Sequence, residues 1–438
     1  MSTPPITKGR GYILFLLFSL NLINYVDRYL PAILLPSIRK DLNLNDSQLA
    51  FITGAAFALF YSLMCLPLGR MTDHMNRRKL LAICVGLWSV ATTVTGFARN
   101  FTHMAIARFG VGVVEAGLNP CAQSMISDLY AQKGRRATAI AVFSSGIPVG
   151  TVVGFLAGGN LDAMIGWRNA FIAVGVPGII LAVITWYFLK EPVRGAADGF
   201  VDTGKAPGLL ETVKTLWGIR VWRYMMFGTG FSGTCNVCCT VWAPSYLNRS
   251  FGMSVADIGN FTAPALGIGG FIGTMAGGIL VDKLRSKNQR WGAWVPMITL
   301  GLTVIPTLMV FSAGSAKTAI LWLTLPLVLI PTHLACFTAA SQSVAPLRMR
   351  GTAPALSLLI TAGIMGLGIG PQVIGGLSDL LRPSQGEESL RYALLIVAPT
   401  AAALASFFFY LGSRSITQDI ADAAAKQSGL TAAAAGVR

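Results

Sequence analysis

Charge is scarce in this 438-residue sequence, because Asp, Glu, Lys and Arg together make up only 12% of it. Soluble domains carry roughly 25%, and a soluble chain of this length could not cover its surface with so few charges. Apolar residues reach 53%, and the mean hydropathy is +0.62. The composition therefore excludes a disordered chain, a collagen and an ordinary cytosolic enzyme, and it indicates an integral membrane protein.

Alternation of apolar and polar residues, the pattern of membrane barrel strands, is also lacking. The apolar stretches instead run about 20 residues without interruption. This pattern predicts an all-α polytopic membrane protein with twelve transmembrane helices. The predicted spans are about 12–36, 49–70, 79–98, 103–128, 138–161, 169–189, 223–247, 257–282, 293–312, 318–344, 352–380 and 391–411.

Cysteine is present at only seven positions, all within apolar stretches, so no disulfide framework is expected. Cys235 and Cys238 have the C-x-x-C spacing of redox and metal sites. No second pair and no well-placed His completes such a site, and we interpret these residues as small packing groups. We expect neither a metal nor a cofactor.

Motifs of several function classes are missing as well. No Gly-x-x-x-x-Gly-Lys-Ser/Thr loop is present, which argues against an ATP-driven pump. No nucleophile–base set supports a membrane enzyme, and no filter motif or ring of charges supports a channel. A secondary transporter is the favoured class.

The positive charges are distributed by topology. The net charge of +16 could indicate nucleic-acid binding, but Lys and Arg occur in short clusters between apolar stretches rather than as one basic patch. The N-terminus, the even-numbered loops and the C-terminus hold 24 of them, and the odd-numbered loops hold 8. The positive-inside rule then places both termini in the cytoplasm. The short loops suggest a bacterial inner membrane. We expect a monomer whose partner is the lipid bilayer, and no nucleic acid.

A Gly- and Pro-containing stretch of mixed charge divides the chain into two halves. We predict an N-terminal six-helix lobe at 1–190, a cytoplasmic linker at 191–222, a C-terminal six-helix lobe at 223–414 and a cytoplasmic tail at 415–438. A weak repeat supports the division, since Gly and Asp recur four residues apart after the second span of each half. The repeated residues are Gly69 with Asp73 and Gly278 with Asp282.

Four charged residues lie deep within the spans, and all belong to the first half: Asp27, Arg28, Arg108 and Glu115. An ionisable group in hydrocarbon costs about 2.5–3.5 kcal/mol even on the gentler scales. Arg108 and Glu115 are seven residues apart, so they share one helix face. We expect Asp27 to pair with Arg108 or Arg28, and Glu115 to be the group more easily protonated. The alternative is a static ion cluster that serves only folding.

The cytoplasmic loop after span two resembles a motif of the major facilitator superfamily. The matching residues are Gly69, Asp73, Arg77 and Arg78, and the loop departs from the motif at His74 and Asn76. Arg108 with Gly112, and the Gly/Pro-rich run from Gly146 to Gly154, resemble the motifs of spans four and five.

Within the superfamily, the first half is most similar to the Spinster family. The similarity rests on Asn24-Tyr25-Val26-Asp27-Arg28, on Arg108 with Glu115, on Asp128-Leu129-Tyr130, on Trp167-Arg168-Asn169-Ala170-Phe171 and on Lys190-Glu191-Pro192-Val193-Arg194-Gly195. The first two groups are shared with the anion:cation symporter family of organic-acid transporters.

The resemblance implies a two-lobed transporter that works by proton-coupled alternating access. It implies a lysolipid-like amphiphile as substrate if the chain follows the Spinster family, or a sugar acid or another organic acid if it follows the symporters. Asp27 and Glu115 then correspond to the proton-coupling pair. The candidate substrate-binding residues are Arg28, Arg108, Asn119, Trp242, Gln342 and Gln372. The candidate gating residues are Gly69, Asp73, Arg77, Asp128, Arg136 and Asp282.

Overall fold

The computed structural model describes residues 9–130, 135–192, 209–344, 356–357 and 359–435. Within these ranges every regular element is helical and no strand occurs. Helices α1 to α8 are Arg10–Leu42, Asp46–Ala50, Ala56–His74, Arg77–Thr95, Phe101–Glu115, Leu118–Leu129, Arg135–Ser144 and Gly146–Phe188. A π-helical segment, Phe51–Ala55, joins α2 to α3.

The second part of the chain contains helices α9 to α17. They are Leu209–Trp217, Arg220–Val237, Ala243–Phe251, Val255–Arg285, Trp291–Ser312, Ala316–Leu329, His333–Val344, Gly370–Gln385 and Ser389–Ala435. Two further π-helical segments are Cys238–Trp242 and Leu359–Ile369, and two 3₁₀ turns are Ile330–Thr332 and Gly386–Glu388. The tail predicted to follow Arg414 is helical as far as Ala435.

Eight helical stretches of the described ranges are long and apolar enough to cross a membrane. Six of them correspond to single predicted spans. The other two, Thr138–Phe188 and Leu359–Ala423, each contain two predicted spans. Predicted spans four and seven are not among the eight; span four is divided into α5 and α6, and span seven consists of α10, a π-helical segment and α11.

Glycines lie at two of these boundaries. Span four is interrupted between Glu115 and Leu118, and a Cβ on the intervening Gly117 would lie 2.7 Å from the Cys84 Sγ atom. Spans five and six, which α8 covers together, are two helices that meet at Gly166, where the backbone is non-helical with φ 79° and ψ 159°. Only glycine adopts such a backbone conformation at no steric cost.

Contacts group the chain into two compact units. One contains Met1–Thr203 and Val241–Gly267, and the other contains Gly204–Thr240 and Ile268–Arg438. The segment Val241–Gly267, which the sequence pattern assigns to the second half, therefore packs within the first unit. The division into lobes at residues 190 and 223 stays a prediction.

Close packing of α8 against α1 positions the helix that carries two of the deep charges. A Cβ on Gly150 would lie 2.4 Å from the Leu22 carbonyl oxygen and 2.9 Å from the Tyr25 Cβ. Gly154 faces the Val26 backbone at 3.2 Å in the same way. Glycines at these positions let the two helices approach backbone to backbone, as is common in membranes.

We predict that Gly150→Ala lowers the thermal stability of the purified protein. The added methyl group meets the backbone of α1, and overpacking of this kind costs about 1–3 kcal/mol. Gly270→Ala on α12 is the matched control, since nothing lies within 4 Å of its Cβ position. A melting temperature for Gly150→Ala equal to that of the control would refute the packing argument.

Candidate functional site

The four deep charges lie together between α1 and α5. Asp27 and Arg28 are on α1, whereas Arg108 and Glu115 are on α5. Asp27, Arg108 and Glu115 are 1–2% exposed, and the Arg28 side chain is 16% exposed. Arg28 is therefore the member of the group that is accessible from outside the protein interior.

Arg28 forms an ion pair with Glu115. Its Nε atom donates to Glu115 Oε1 at 2.9 Å, and its Nη2 atom donates to the same oxygen. The guanidinium carbon lies 4.9 Å from the ring centres of Tyr25, Phe57 and Tyr61. Three aromatic faces and a carboxylate thus compensate the charge of one arginine.

Asp27 makes no ion pair within the described ranges, so the expected pairing of Asp27 with Arg108 or Arg28 is wrong for this structure. Its Oδ2 atom accepts a hydrogen bond from the Thr92 Oγ1 of α4 at 3.3 Å. The reason is helical geometry, because adjacent residues project about 100° apart. Asp27 therefore faces α4, whereas Arg28 faces α3 and α5.

Arg108 lies between the two carboxylates without bonding to either. Its guanidinium carbon is 5.3 Å from the Phe57 ring centre, and its buried Nε atom has no hydrogen-bond partner in the described chain. It is close enough to Glu115 and Asp27 to attract both electrostatically. The Oε2 atom of Glu115 is likewise buried and unpartnered. The group therefore keeps unused hydrogen-bonding capacity.

Of the remaining candidate binding residues, the structure brings Asn119 to the site. Its Nδ2 atom lies 3.4 Å from the Tyr61 hydroxyl, beside Arg28. Trp242 is fully buried with its indole nitrogen unpartnered, and Gln372 is partly buried with an unpartnered amide nitrogen. The side chain of Gln342 lies outside the described residues.

The side chains that surround the four charges were not among the site residues predicted from the sequence. They are Tyr25, Phe57, Tyr61, Trp88 and Thr92. A signal was available for two of them, because Phe57 and Tyr61 are four residues apart and so share a helix face.

A second ionic cluster surrounds Arg77, which is 1% exposed at the N-terminus of α4. Its Nη1 atom donates to Asp128 Oδ2 at 2.5 Å and to the Ser124 hydroxyl at 2.8 Å. Nη2 donates to the Pro192 carbonyl at 2.8 Å, and Nε is 3.4 Å from Glu191 Oε1. One buried arginine thus fastens α6 and the first residues after span six to α4.

The other candidate gating residues are more loosely placed. Arg136 on α7 and Asp282 on α12 are exposed. Gly69 has no atom within 4 Å of its Cβ position. The side chain of Asp73 lies outside the described residues. A gating role for this set stays a prediction.

We predict that Arg77→Met strongly destabilises the protein, because it removes a buried cation that binds both the Asp128 and the Glu191 carboxylates. Breaking a buried ion pair from one side typically costs about 3–5 kcal/mol. Arg136→Ala on the exposed side chain is the control, with an expected change within about 0.5 kcal/mol. The measurement is thermal unfolding in detergent, and similar melting temperatures for both variants would contradict the anchoring role.

A third cluster joins residues that are 203 positions apart in the sequence. Arg249 on α11 donates through Nη1 to Asp46 Oδ2 at 2.8 Å and through Nη2 to Oδ1. Both side chains are at most 5% exposed, and the Arg39 Nε atom is 3.8 Å from the same carboxylate. Asp46 lies in the first turn of α2, where Asn45 and Gln48 form a capping box and the helix dipole favours an anion.

We predict that Asp46→Asn destabilises the protein by about 3–5 kcal/mol, since it leaves the Arg249 charge buried and unpaired. Asp41→Asn is the matched control, because the Asp41–Arg168 pair is 44% and 39% exposed and exposed pairs contribute roughly 0–1 kcal/mol. Chemical denaturation of both variants tests the difference. An Asp46→Asn variant as stable as Asp41→Asn would show that the buried pair contributes nothing.

Comparison with known proteins identifies the family. The sequence model of the Major Facilitator Superfamily matches residues 17–356, and the chain belongs to this superfamily. It is 30% identical to an MFS-type efflux pump of Mycolicibacterium smegmatis over 92% of each chain. It is 27% identical to a probable L-galactonate transporter of Escherichia coli, over 91% of this chain and 88% of that one.

A solved structure agrees with the fold. The crystal structure of a bacterial homolog to the human lysosomal transporter Spinster, in an inward-facing and unoccupied conformation, superposes with a TM-score of 0.86. The two chains are 27% identical, over 94% of this chain and 98% of the other. The resemblance to the superfamily and to Spinster proteins is confirmed, as is the all-helical fold. The chain is an integral multi-pass membrane transporter rather than an enzyme.

Proposed function

We propose that this protein is a proton-coupled secondary transporter that moves a small anionic or amphiphilic organic solute by alternating access. The observation that carries the proposal is the unequal pairing of the two deep carboxyl groups. Glu115 is bonded to Arg28, whereas Asp27 forms no ion pair with the described residues and accepts a hydrogen bond from Thr92. Two carboxyl groups in one site with different partners can separate proton binding from substrate binding.

Arg28 is the proposed substrate-binding group. Its Nη1 atom makes no hydrogen bond to the described residues, and its side chain is 16% exposed. A guanidinium matches carboxylate and phosphate groups through paired hydrogen bonds. The anionic group of a substrate would therefore bind at the free edge of Arg28, with the aromatic rings of Tyr25 and Tyr61 against its neighbouring carbon atoms.

Coupling follows from competition for that arginine. A substrate anion on Arg28 weakens the hold of Arg28 on Glu115, and a buried carboxylate that loses its cation is costly until it takes up a proton. Asp27 has no cation bonded to it and is the second proton-binding group. Protonation must differ in free energy between the inward-open and outward-open states, since otherwise no gradient is harvested.

The Spinster relationship favours a lysolipid-like substrate. The apolar tail of such a substrate would need an apolar surface beyond the four charged residues. The alternative is a sugar acid or another organic acid, as in the anion:cation symporter family. The specific observation for this alternative is the Asn119 amide at 3.4 Å from the Tyr61 hydroxyl, beside Arg28. Amide and phenol groups together suit the hydroxyls of a sugar acid.

The distribution of the positive charges among the loops supports a bacterial inner membrane with both termini in the cytoplasm. We also propose that the protein works as a monomer. Both statements rest on the sequence pattern, and the gating assignment of Asp73, Arg77, Asp128, Arg136 and Asp282 belongs to the same proposal.

We predict that Asp27→Asn and Glu115→Gln each abolish proton-driven accumulation in proteoliposomes, whereas Glu115→Gln retains counterflow because it mimics the protonated form. Arg28→Lys should lose counterflow, since a lysine cannot reproduce the guanidinium geometry. The test solute is chosen beforehand by a thermal-shift screen of organic acids and lysolipids, in which a bound ligand raises the apparent stability.

Thr95→Val is the control for these variants, because its buried hydroxyl bonds only within its own helix. A well-expressed Glu115→Gln protein that still concentrates solute with normal pH dependence would sink the coupling assignment. Under the rival view of a rigid ion cluster, the neutral variants either express poorly or transport normally.

A further inference from the structure

Buried polar atoms without hydrogen-bond partners occur on α1 at Asp27 and at residues that precede it in the helix. Asn24 is 1% exposed, and neither its Nδ2 nor its Oδ1 atom has a hydrogen-bond partner among the described residues. The Oδ1 atom of Asp27 and the indole nitrogen of Trp88 are also buried and unpartnered. A buried amide without any hydrogen bond costs roughly 1–3 kcal/mol, so the Asn24 side chain needs a partner that the described protein atoms do not provide.

These atoms lie close to one another. Asn24 and Asp27 are three residues apart on α1, and side chains at this spacing are neighbours on a helix surface. The Trp88 side chain lies beside the Asp27 carboxyl without a hydrogen bond of normal geometry. On the far side of Asn24, Asn21 donates to the Phe143 carbonyl at 2.8 Å while its own Oδ1 atom is unpartnered. The three residues form a polar stripe on α1.

The chemistry of the set identifies the ligand. Trp88 and the Asn24 amide nitrogen are donors, whereas Asp27 Oδ1, Asn24 Oδ1 and Asn21 Oδ1 are acceptors. A metal cation would be coordinated only by the oxygen atoms, and the N–H groups would repel it. Water both donates and accepts, and a buried water typically bridges two to four otherwise unsatisfied groups.

We propose that the Asn21–Asn24–Asp27 stripe holds ordered water that delivers the proton to Asp27 along α1, separately from the substrate at Arg28. The inference rests on the proposed function of Asp27 as a proton-binding group. The charged groups that act on Asp27 are Arg28 on its own helix and Arg108 and Glu115 on α5. Asn24 is then a positioning residue for water.

The test follows the protonation of Asp27 in the purified full-length protein and needs no substrate. A rapid drop in pH is monitored by time-resolved infrared spectroscopy, using the protonated-carboxyl band that is missing in Asp27→Asn. We expect Asn24→Leu to slow the appearance of this band roughly tenfold, as the loss of one hydrogen-bonded link would. Trp88→Phe, which removes only the indole N–H donor, should slow it too, whereas Thr95→Val should not.

The outcomes separate the two proposals. If the Asp27 band rises at the wild-type rate in both Asn24→Leu and Trp88→Phe, the water route is wrong although Asp27 still binds protons. If wild type shows no Asp27-dependent band at any pH, the assignment of Asp27 fails and the route falls with it. If sodium ions stabilise wild type against heat but not Asn24→Leu, the stripe holds a cation and the water proposal is overturned.

Discussion

The Arg28–Glu115 ion pair is the interaction on which the rest of the site depends. Charges in a membrane interior are costly unless they are compensated, and this pair satisfies both partners with a carboxylate, a guanidinium and three aromatic faces. The compensation is incomplete by one oxygen of Glu115 and by the outward edge of Arg28. An anionic solute that binds at this free edge would share the arginine with the carboxylate and weaken its hold on Glu115.

The same constraint explains the arrangement around the pair. Asp27 faces α4 and forms no ion pair within the described ranges, so proton binding at Asp27 does not require that an ion pair be broken. Close packing of α8 against α1 at Gly150 and Gly154 keeps the helix bearing both residues in place. The buried clusters at Arg77 and at Asp46–Arg249 compensate charge by direct pairing in the same way, but at the ends of helices. The polar stripe differs, because both polar atoms of Asn24 and one oxygen each of Asn21 and Asp27 have no partner among the described residues.

Much of this could be predicted from the sequence, since hydropathy and the scarcity of charge fix the helical membrane fold and the choice of four deep residues. The partners could not. Pairing depends on which way neighbouring residues project, and a 100° difference between Asp27 and Arg28 sends them to different helices. The Asp46–Arg249 pair could not be predicted either. Its two residues are far apart in sequence, and Arg249 could be read only as one of the loop charges that set the membrane topology. The need for glycine at position 117 comes from the nearby Cys84, a tertiary contact that no local pattern reveals.

The claim that substrate competes with Glu115 for Arg28 is tested most directly by counting protons during binding. Calorimetry of the purified protein with a solute identified by thermal shift, repeated in buffers of different ionisation enthalpy, gives the number of protons taken up per solute bound. We expect the wild-type protein to take up protons when it binds the solute. We expect the Glu115→Gln variant to bind the solute without this proton uptake. Binding without any proton uptake by the wild-type protein, or undiminished uptake by Glu115→Gln, would contradict it.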